Sequence, residues 1–210
     1  MANLSRNLLI ATILLLHGVS HAQELPDLEL MKTLPISLDA ASSEFDRKKN
    51  KLFFRDLTIK QGALKIVADE ATATRLDFED ARWEFSGSVV IENMGTTAHC
   101  DYAEILFREH RIRNAVMQGQ PATFKQFRID EERQTEGRAN LMEYDADTGI
   151  IRMSDDAWIS DSANEVSGNR ISYDLNRQYI IADADDDGQV RMKIIPPESS
   201  VPKIEDKLKQ

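Results

Sequence analysis

Apolar and polar side chains alternate with a period of two through most of this chain, and helical periodicity is hard to find in it. Across Arg82–Glu92, Trp83, Phe85, Gly87, Val89 and Ile91 occupy one side, and Glu84, Ser86, Ser88 and Glu92 the other. Leu64, Ile66 and Ala68 form a second such row, Ala103, Ile105 and Phe107 a third, and Val190, Met192 and Ile194 a fourth. Successive side chains of a strand point to opposite faces, so each row is one face of a half-buried strand. Turn signals separate the rows: Asp46–Asn50, Asn93–Gly95, Asp145–Gly149, Asp174–Asn176 and Asp183–Gly188. Many short strands joined by polar turns predict an all-β sandwich, jelly roll or barrel.

A weak repeat runs through the same region. Leu64–Ala71 (LKIVADEA) is echoed by Thr96–Ala103 (TTAHCDYA), and Gly137–Asp145 (GRANLMEYD) by Gly168–Asp174 (GNRISYD). An offset of about 30 residues in an all-β chain predicts stacked hairpin units, each covering its apolar face with the next.

The first residues read as a targeting segment. A cationic start, Met1–Arg6, is followed by the apolar run Leu8–Leu16 and by Ser20-His21-Ala22, small residues at the −3 and −1 positions of a cleavage site. A bilayer span needs about 20 apolar residues, so the run is too short to cross. Residues 1–22 are therefore expected to be a secretory signal peptide and the mature protein to be soluble outside the cytoplasm. The formal net charge is −10, and losing Arg6 makes it one unit more negative. A chain this acidic, with no Lys/Arg cluster to displace phosphate counterions, is not built for nucleic acid. Cys100 is the only cysteine, so packing and strand pairing, not an internal disulfide, must hold the fold.

Chemistry is scarce. His99-Cys100-Asp101 has the look of a ligand cluster, but consecutive strand residues face opposite ways and cannot close on one metal. Asp183–Gly188 has the D-x-D-x-D-G opening of an EF-hand, yet loop position 12 is Ile194 and an alternating strand follows. That stretch reads instead as an acidic turn into a last strand, Gln189–Ile195, with Val190, Met192 and Ile194 facing inward and Pro196-Pro197 ending the sheet. No nucleophile signature, Gly-rich phosphate loop or paired carboxylate stands out, so no catalytic residue, metal or cofactor is assigned. The apolar inventory, with Phe53, Phe85, Phe124, Phe127, Met142, Met153 and Trp158 among its large members, fits either a sandwich core or an apolar groove able to hold acyl chains. Composition does not separate the two.

Several pieces, in order, resemble the LptA/OstA family of periplasmic lipopolysaccharide-transport proteins: Leu34–Asp39 (LPISLD), Val89–Glu92 (VVIE), Gly119–Phe124 (GQPATF), Glu136–Tyr144 (EGRANLMEY), Val166–Tyr173 (VSGNRISY) and Gly188–Pro197 (GQVRMKIIPP). The resemblance implies a twisted, partly open β-jelly roll of successive antiparallel hairpins over residues 34–197. A lead-in at 23–33 would precede it and a disordered tail at 198–210 would follow. It implies a non-enzymatic function in the periplasm, carrying lipopolysaccharide from inner to outer membrane, with copies stacked end to end between LptC and LptD. The matching groove positions are Ile36, Leu38, Phe124, Met142 and Tyr144, with Ile171 and Tyr173 following from the equivalent repeat. Val190, Met192 and Ile194 become a partner-docking edge. Asp56–Thr74 and Ser86–Ala103 both match the same early hairpins, which implies an extra repeat. Two alternatives stand beside this reading: an LptC-like inner-membrane component of the same pathway, and a periplasmic β-scaffold that binds no lipid.

Overall fold

The computed structural model describes residues 33–128, 133–161, 163–184 and 188–194. The segments expected to be signal peptide and C-terminal tail lie outside them, as does Asp185–Asp187 of the acidic turn. Twelve strands form one antiparallel sheet: β1 (Ser37–Asp39), β2 (Ser42–Asp46), β3 (Lys51–Gln61), β4 (Leu64–Ala73), β5 (Asp80–Asn93), β6 (Thr96–Arg108), β7 (Arg111–Arg128), β8 (Arg133–Asp145), β9 (Ile150–Ser160), β10 (Asn164–Asp174), β11 (Tyr179–Asp183) and β12 (Arg191–Ile194). From β3 to β10 each strand pairs with its sequence neighbours, the succession of hairpins the alternation predicts. Both repeats relate alternate strands, β4 to β6 and β8 to β10, so the repeating unit is one hairpin.

Asx turns close several hairpins. Asp46 Oδ1 accepts the N–H groups of Lys48 and Lys49 at 2.9 and 3.1 Å, and Asp145 Oδ1 those of Asp147 and Thr148 at 3.0 and 3.1 Å. Asp174 Oδ1 takes those of Asn176 and Arg177 at 2.9 Å, and Asp161 does the same before β10. A short carboxylate reaching its own backbone two or three residues on supplies the turn's missing acceptor. Asp46, Asp145, Asp161 and Asp174 are thereby engaged in turns.

A line of irregularities crosses the long strands near their middles. The register shifts between Val67 and Glu70, Ser86 and Val89, His99 and Tyr102, Gln118 and Ala122, Arg138 and Leu141, and Gly168 and Arg170. Asp56, Gly87, Ser88, Asp155 and Asp156 on this line have positive φ, as bulged strands require. At Gly87 (φ +73°) an added Cβ would lie 2.9 Å from Asp69 Cβ, so the two strands can approach only over a glycine. In several strands the line also switches the phase of burial. Leu64, Ile66 and Ala68 of β4 are buried, then Ala71 and Ala73; in β7 Ala115 and Met117, then Ala122 and Phe124. The extra residue keeps a single face apolar from end to end. Small residues (Ala68, Ala71, Cys100, Ala103, Ala122, Ala139, Ala157) fill the inside of the crease, where larger ones would collide.

The line divides the sheet into two half-sheets that share β3–β10 but have different edges. In half-sheet I the edges are β2, paired with Lys51–Arg55, and β11, paired with Arg170–Asp174. In half-sheet II they are β1, paired with Thr58–Lys60, and β12, paired with Asn164–Ser167. The two inner faces pack on each other: Phe124 of half-sheet II stacks on Tyr173 of half-sheet I, ring centroids 6.1 Å apart. This is the partly open jelly roll of hairpins.

The first strand is Ser37–Asp39, which leaves Ile36 just before it. Two expectations are corrected. The last spans Arg191–Ile194, and Val190, Met192 and Ile194 are 37%, 68% and 72% exposed. Met192 pairs with buried Val166 and so shares its face, but β12 is an edge strand and no described residue covers it. Phe127, Trp158 and Phe53 lie on the outer side: Phe127 is 52% exposed, Trp158 lies under the Arg138 guanidinium at 4.7 Å, and Phe54, not Phe53, enters the core.

Candidate functional site

The inner face is built of cross-strand rows. In half-sheet II one row runs Leu38–Ile59–Ile66–Ile91–Ala98–Phe124–Gly137–Ile159–Val166–Met192, each residue directly opposite the next. It crosses ten strands without a polar side chain, roughly 43 Å at the usual strand spacing. In half-sheet I a row runs Phe54–Ala71–Phe85–Ala103–Met117–Met142–Met153–Ile171–Ala182. Beside it lies Leu52–Ala73–Trp83–Ile105–Ala115–Tyr144–Ile151–Tyr173–Ile180.

These rows place the expected groove residues. Leu38 and Phe124 share one row with Met192; Met142 and Ile171 share another; Tyr144 and Tyr173 share the third. Ile36 precedes β1 and packs, half-buried, on the same core as Leu38 and Tyr144. Phe124, Met142, Ile171 and Tyr173 are buried to 2% exposure or less, so the interior is closed by its own side chains. Phe124 owes its seat to Gly137, where an added Cβ would fall 2.8 Å from two ring carbons. Across the gap Tyr173 OH donates to Gln126 Oε1 at 3.0 Å, a directional tie between the half-sheets beside the Phe124–Tyr173 stack.

Sequence reasoning did not foresee two clusters of this interior. Trp83 stacks on Phe54, Phe78 and Phe85 with centroids 5.5, 4.9 and 5.8 Å apart. Met117, Met142 and Met153 line up on three consecutive strands, and such unbranched thioethers refill irregular space readily. The alternation of Arg82–Glu92 was the signal for Trp83; the methionine row needed the register.

Among the described residues, cavities flank the interior. One of about 460 Å³ opens at the β1 end, lined by Leu34, Ile36, Leu38, Leu76, Asp77, Phe78 and His110. Another of about 530 Å³ lies at the crease among Asp101, Tyr102, Gln118, Gly119, Gln120, Asn140, Leu141 and Asp155, a polar setting unlike the inner rows. The titratable groups offer little chemistry. Burial, reinforced by the Asp101 carboxylate, pushes the Cys100 thiol up to about 12, which leaves no thiolate at neutral pH. Burial, with help from Asp145, raises the Tyr144 phenol, so its hydroxyl stays neutral. His99 and Asp101 are exposed while Cys100 is buried, on opposite faces of β6. The arrangement offers apolar surface and hydrogen-bond rims.

Residues 37–179 match the family described as LptA/(LptD N-terminal domain) LPS transport protein. The lipopolysaccharide export system protein LptA of Haemophilus influenzae is 23% identical over 163 residues, 77% of each chain. Its namesake in Escherichia coli K12 is 24% identical over 194 residues, 92% of this chain and 86% of that one. The crystal structure of LptH, the LptA-homologous periplasmic component of the lipopolysaccharide transport device of Pseudomonas aeruginosa, aligns with a TM-score of 0.43 and 19% identity, over 79% of this chain and 99% of that one. With more than half its length matched on the strands that carry the inner rows, the chain belongs to the LptA/(LptD N-terminal domain) family of LPS transport proteins.

Proposed function

We propose that the chain is a non-enzymatic periplasmic carrier of lipopolysaccharide that lays acyl chains along the inner rows and passes them from one end of the sheet to the other. The observation that carries this reading is the unbroken apolar row from Leu38 to Met192, which reaches both ends of the molecule. Transfer of acyl chains from water stabilises by about 0.8 kcal/mol per buried CH₂ and needs no protein charge. Phosphorylated head groups stay outside, repelled by an acidic chain. At the ends, β1 and β2 on one side and β11 and β12 on the other pair on one side only among the described strands. An edge strand of another copy, or of an LptC-like or LptD-like partner, can add to them. Val190, Met192 and Ile194 then serve as the docking edge, their exposed side chains covered by the partner's first strands.

Photo-crosslinking residues placed at Phe124 and Tyr144 should trap lipopolysaccharide in cells, while one at Trp158 on the outer face should not. The closed interior favours a second reading, a β-scaffold that binds protein at its edges and no lipid. Adducts to protein alone at all three positions would establish that reading in place of the first.

A further inference from the structure

Tyr102, Gln118 and Leu141 lie directly opposite one another on β6, β7 and β8. Each stands one residue from the inner row Ala103–Met117–Met142, and so on the outer face of the sheet. Beside them the ladders break. Between its pairings at Gln118 and Ala122, β7 spends Gly119, Gln120 and Pro121 where β8 spends only Asn140. At the same level Asp155 and Asp156 hold positive φ and bulge β9. These interruptions leave the crease cavity of about 530 Å³, within the range of small-ligand sites. It spans four strands, about 14 Å at the usual strand spacing. Asp101 on β6 lines one end and Asp155 on β9 the other, with Gln118, Gln120 and Asn140 on the two strands between. Asn140 Nδ2 reaches Asp156 Oδ2 at 3.4 Å. The side chains of Asp101, Gln118, Gln120 and Asp155 make no hydrogen bond or ion pair among the described residues, so their polar atoms are open to a ligand.

We infer that the crease cavity is a saccharide site, which takes a short, uncharged oligosaccharide laid across β6–β9 on the outer face. The site lies on the side of the sheet opposite the inner rows, so the inference does not rest on the lipid reading above. Three features select the occupant. Carboxylates only accept hydrogen bonds, whereas carboxamides both donate and accept; the mixture suits hydroxyl groups, which also do both. The Tyr102 ring and the Leu141 side chain add apolar contact beside these polar groups. A pyranose has the same division, with hydroxyls around its edge and C–H groups on its faces. The electrostatics turn anions away. Burial, and then the Glu84 and Glu104 carboxylates, raise the Tyr102 phenol, with Arg82 opposing them, and Asp101 and Asp155 close both ends of the trough. A metal ion is a poor fit as well, because no three His, Cys, Asp or Glu side chains converge among the described residues.

The test titrates the ¹⁵N-labelled unaltered protein with triacetylchitotriose, an uncharged trisaccharide. Backbone amides of Tyr102, Gln118, Gly119, Asn140 and Asp155 should shift saturably, while those of Ile59 and Val166 on the inner row should not. Gln120→Ala and Asn140→Ala should each weaken binding about fivefold, the worth of one ordinary hydrogen bond. Glu143→Ala, at an exposed position of β8 outside the cavity, should leave binding unchanged. The titration of the unaltered protein decides the matter even where a variant does not fold. Two further ligands separate the chemistries: spermidine, a polycation drawn by carboxylates alone, and the phosphorylated oligosaccharide released from lipopolysaccharide by mild acid. If the trisaccharide leaves the crease amides unmoved, or binds both alanine variants as tightly as the unaltered protein, the inference falls. Crease shifts from spermidine alone would then assign the cavity to cations, and from the phosphorylated oligosaccharide alone to lipid-borne sugar.

Discussion

Val166 and Met192 sit directly opposite each other on one face of one sheet, yet Val166 is 6% exposed and Met192 68%. The first lies one strand in from the end of the inner row, where half-sheet I still covers half-sheet II. The second is at its end, where no described strand faces it. Alternation decides which face a side chain takes; burial depends on what lies opposite. An apolar residue on the correct face of an uncovered edge strand is a standing invitation to another chain, and the same residue one strand inward is core.

That contrast can be tested by deletion. Phe124→Ala should lower unfolding free energy in urea by about 3–5 kcal/mol, as large-to-small changes in a closed core do. Met192→Ala should stay within about 0.5 kcal/mol of the unaltered protein. Comparable losses at both sites would mean that the two regions do not differ. The tie between half-sheets comes next: Tyr173→Phe keeps the stack on Phe124 but removes the donor to Gln126, and should cost about 0.5–1.5 kcal/mol by the same assay. If it costs nothing, the closed interior owes nothing to that bond.

At the uncovered end, Met192→Asp with Ile194→Asp should barely move the urea midpoint but weaken self-association at least about tenfold in sedimentation experiments, from lost apolar contact. Undiminished association would place the contact elsewhere. The smallest effect is expected at the ion pair that holds β12 to β10, where Lys193 Nζ donates to Glu165 Oε1 at 3.0 Å. Chiefly through that bond, the Glu165 carboxyl is held below its ordinary 4.5. A depressed folded-state pKa contributes stability that is present above the unfolded value and lost as pH falls through the folded one. Amide protection in β12 should therefore hold near neutrality and decline below about pH 4.5, and Glu165→Gln should flatten that decline. A profile unchanged by the substitution would show that Glu165 does not tether the strand.

Much of the fold was legible because its local signals agree. The Arg82–Glu92 row is one face of β5, and Asp46, Asp145 and Asp174 each open a turn by a mechanism their side chains supply. The crease was not legible. Its residues, among them Asp56, Asp69, Asp101 and Asp155, look like ordinary solvent positions, and a phase switch shows only when partners are known. That is why Phe127 looked like an interior residue: beyond Gly119–Pro121 the buried set of β7 moves to even numbers, leaving Phe127 outside. The expected groove residues came from family resemblance and, Ile36 apart, lie on the inner rows, but their mutual spacing, the Gln126–Tyr173 tie and the Met117–Met142–Met153 file depend on register across four strands. Trp83 lies between Asp56–Thr74 and Ser86–Ala103, the two segments that resemble the same early hairpins, and so had no match of its own.

The row of register shifts along the crease has a mechanical meaning as well. A sheet resists bending because doing so breaks ladder hydrogen bonds, and here the ladders are already interrupted along one line, like the scored spine of a book. The two covers can swing apart with each ladder intact, so separation costs side-chain contact and little main-chain bonding. Admitting a guest should therefore speed or slow amide exchange beside Gly87, Gln120 and Asp155, while amides within either cover keep their protection.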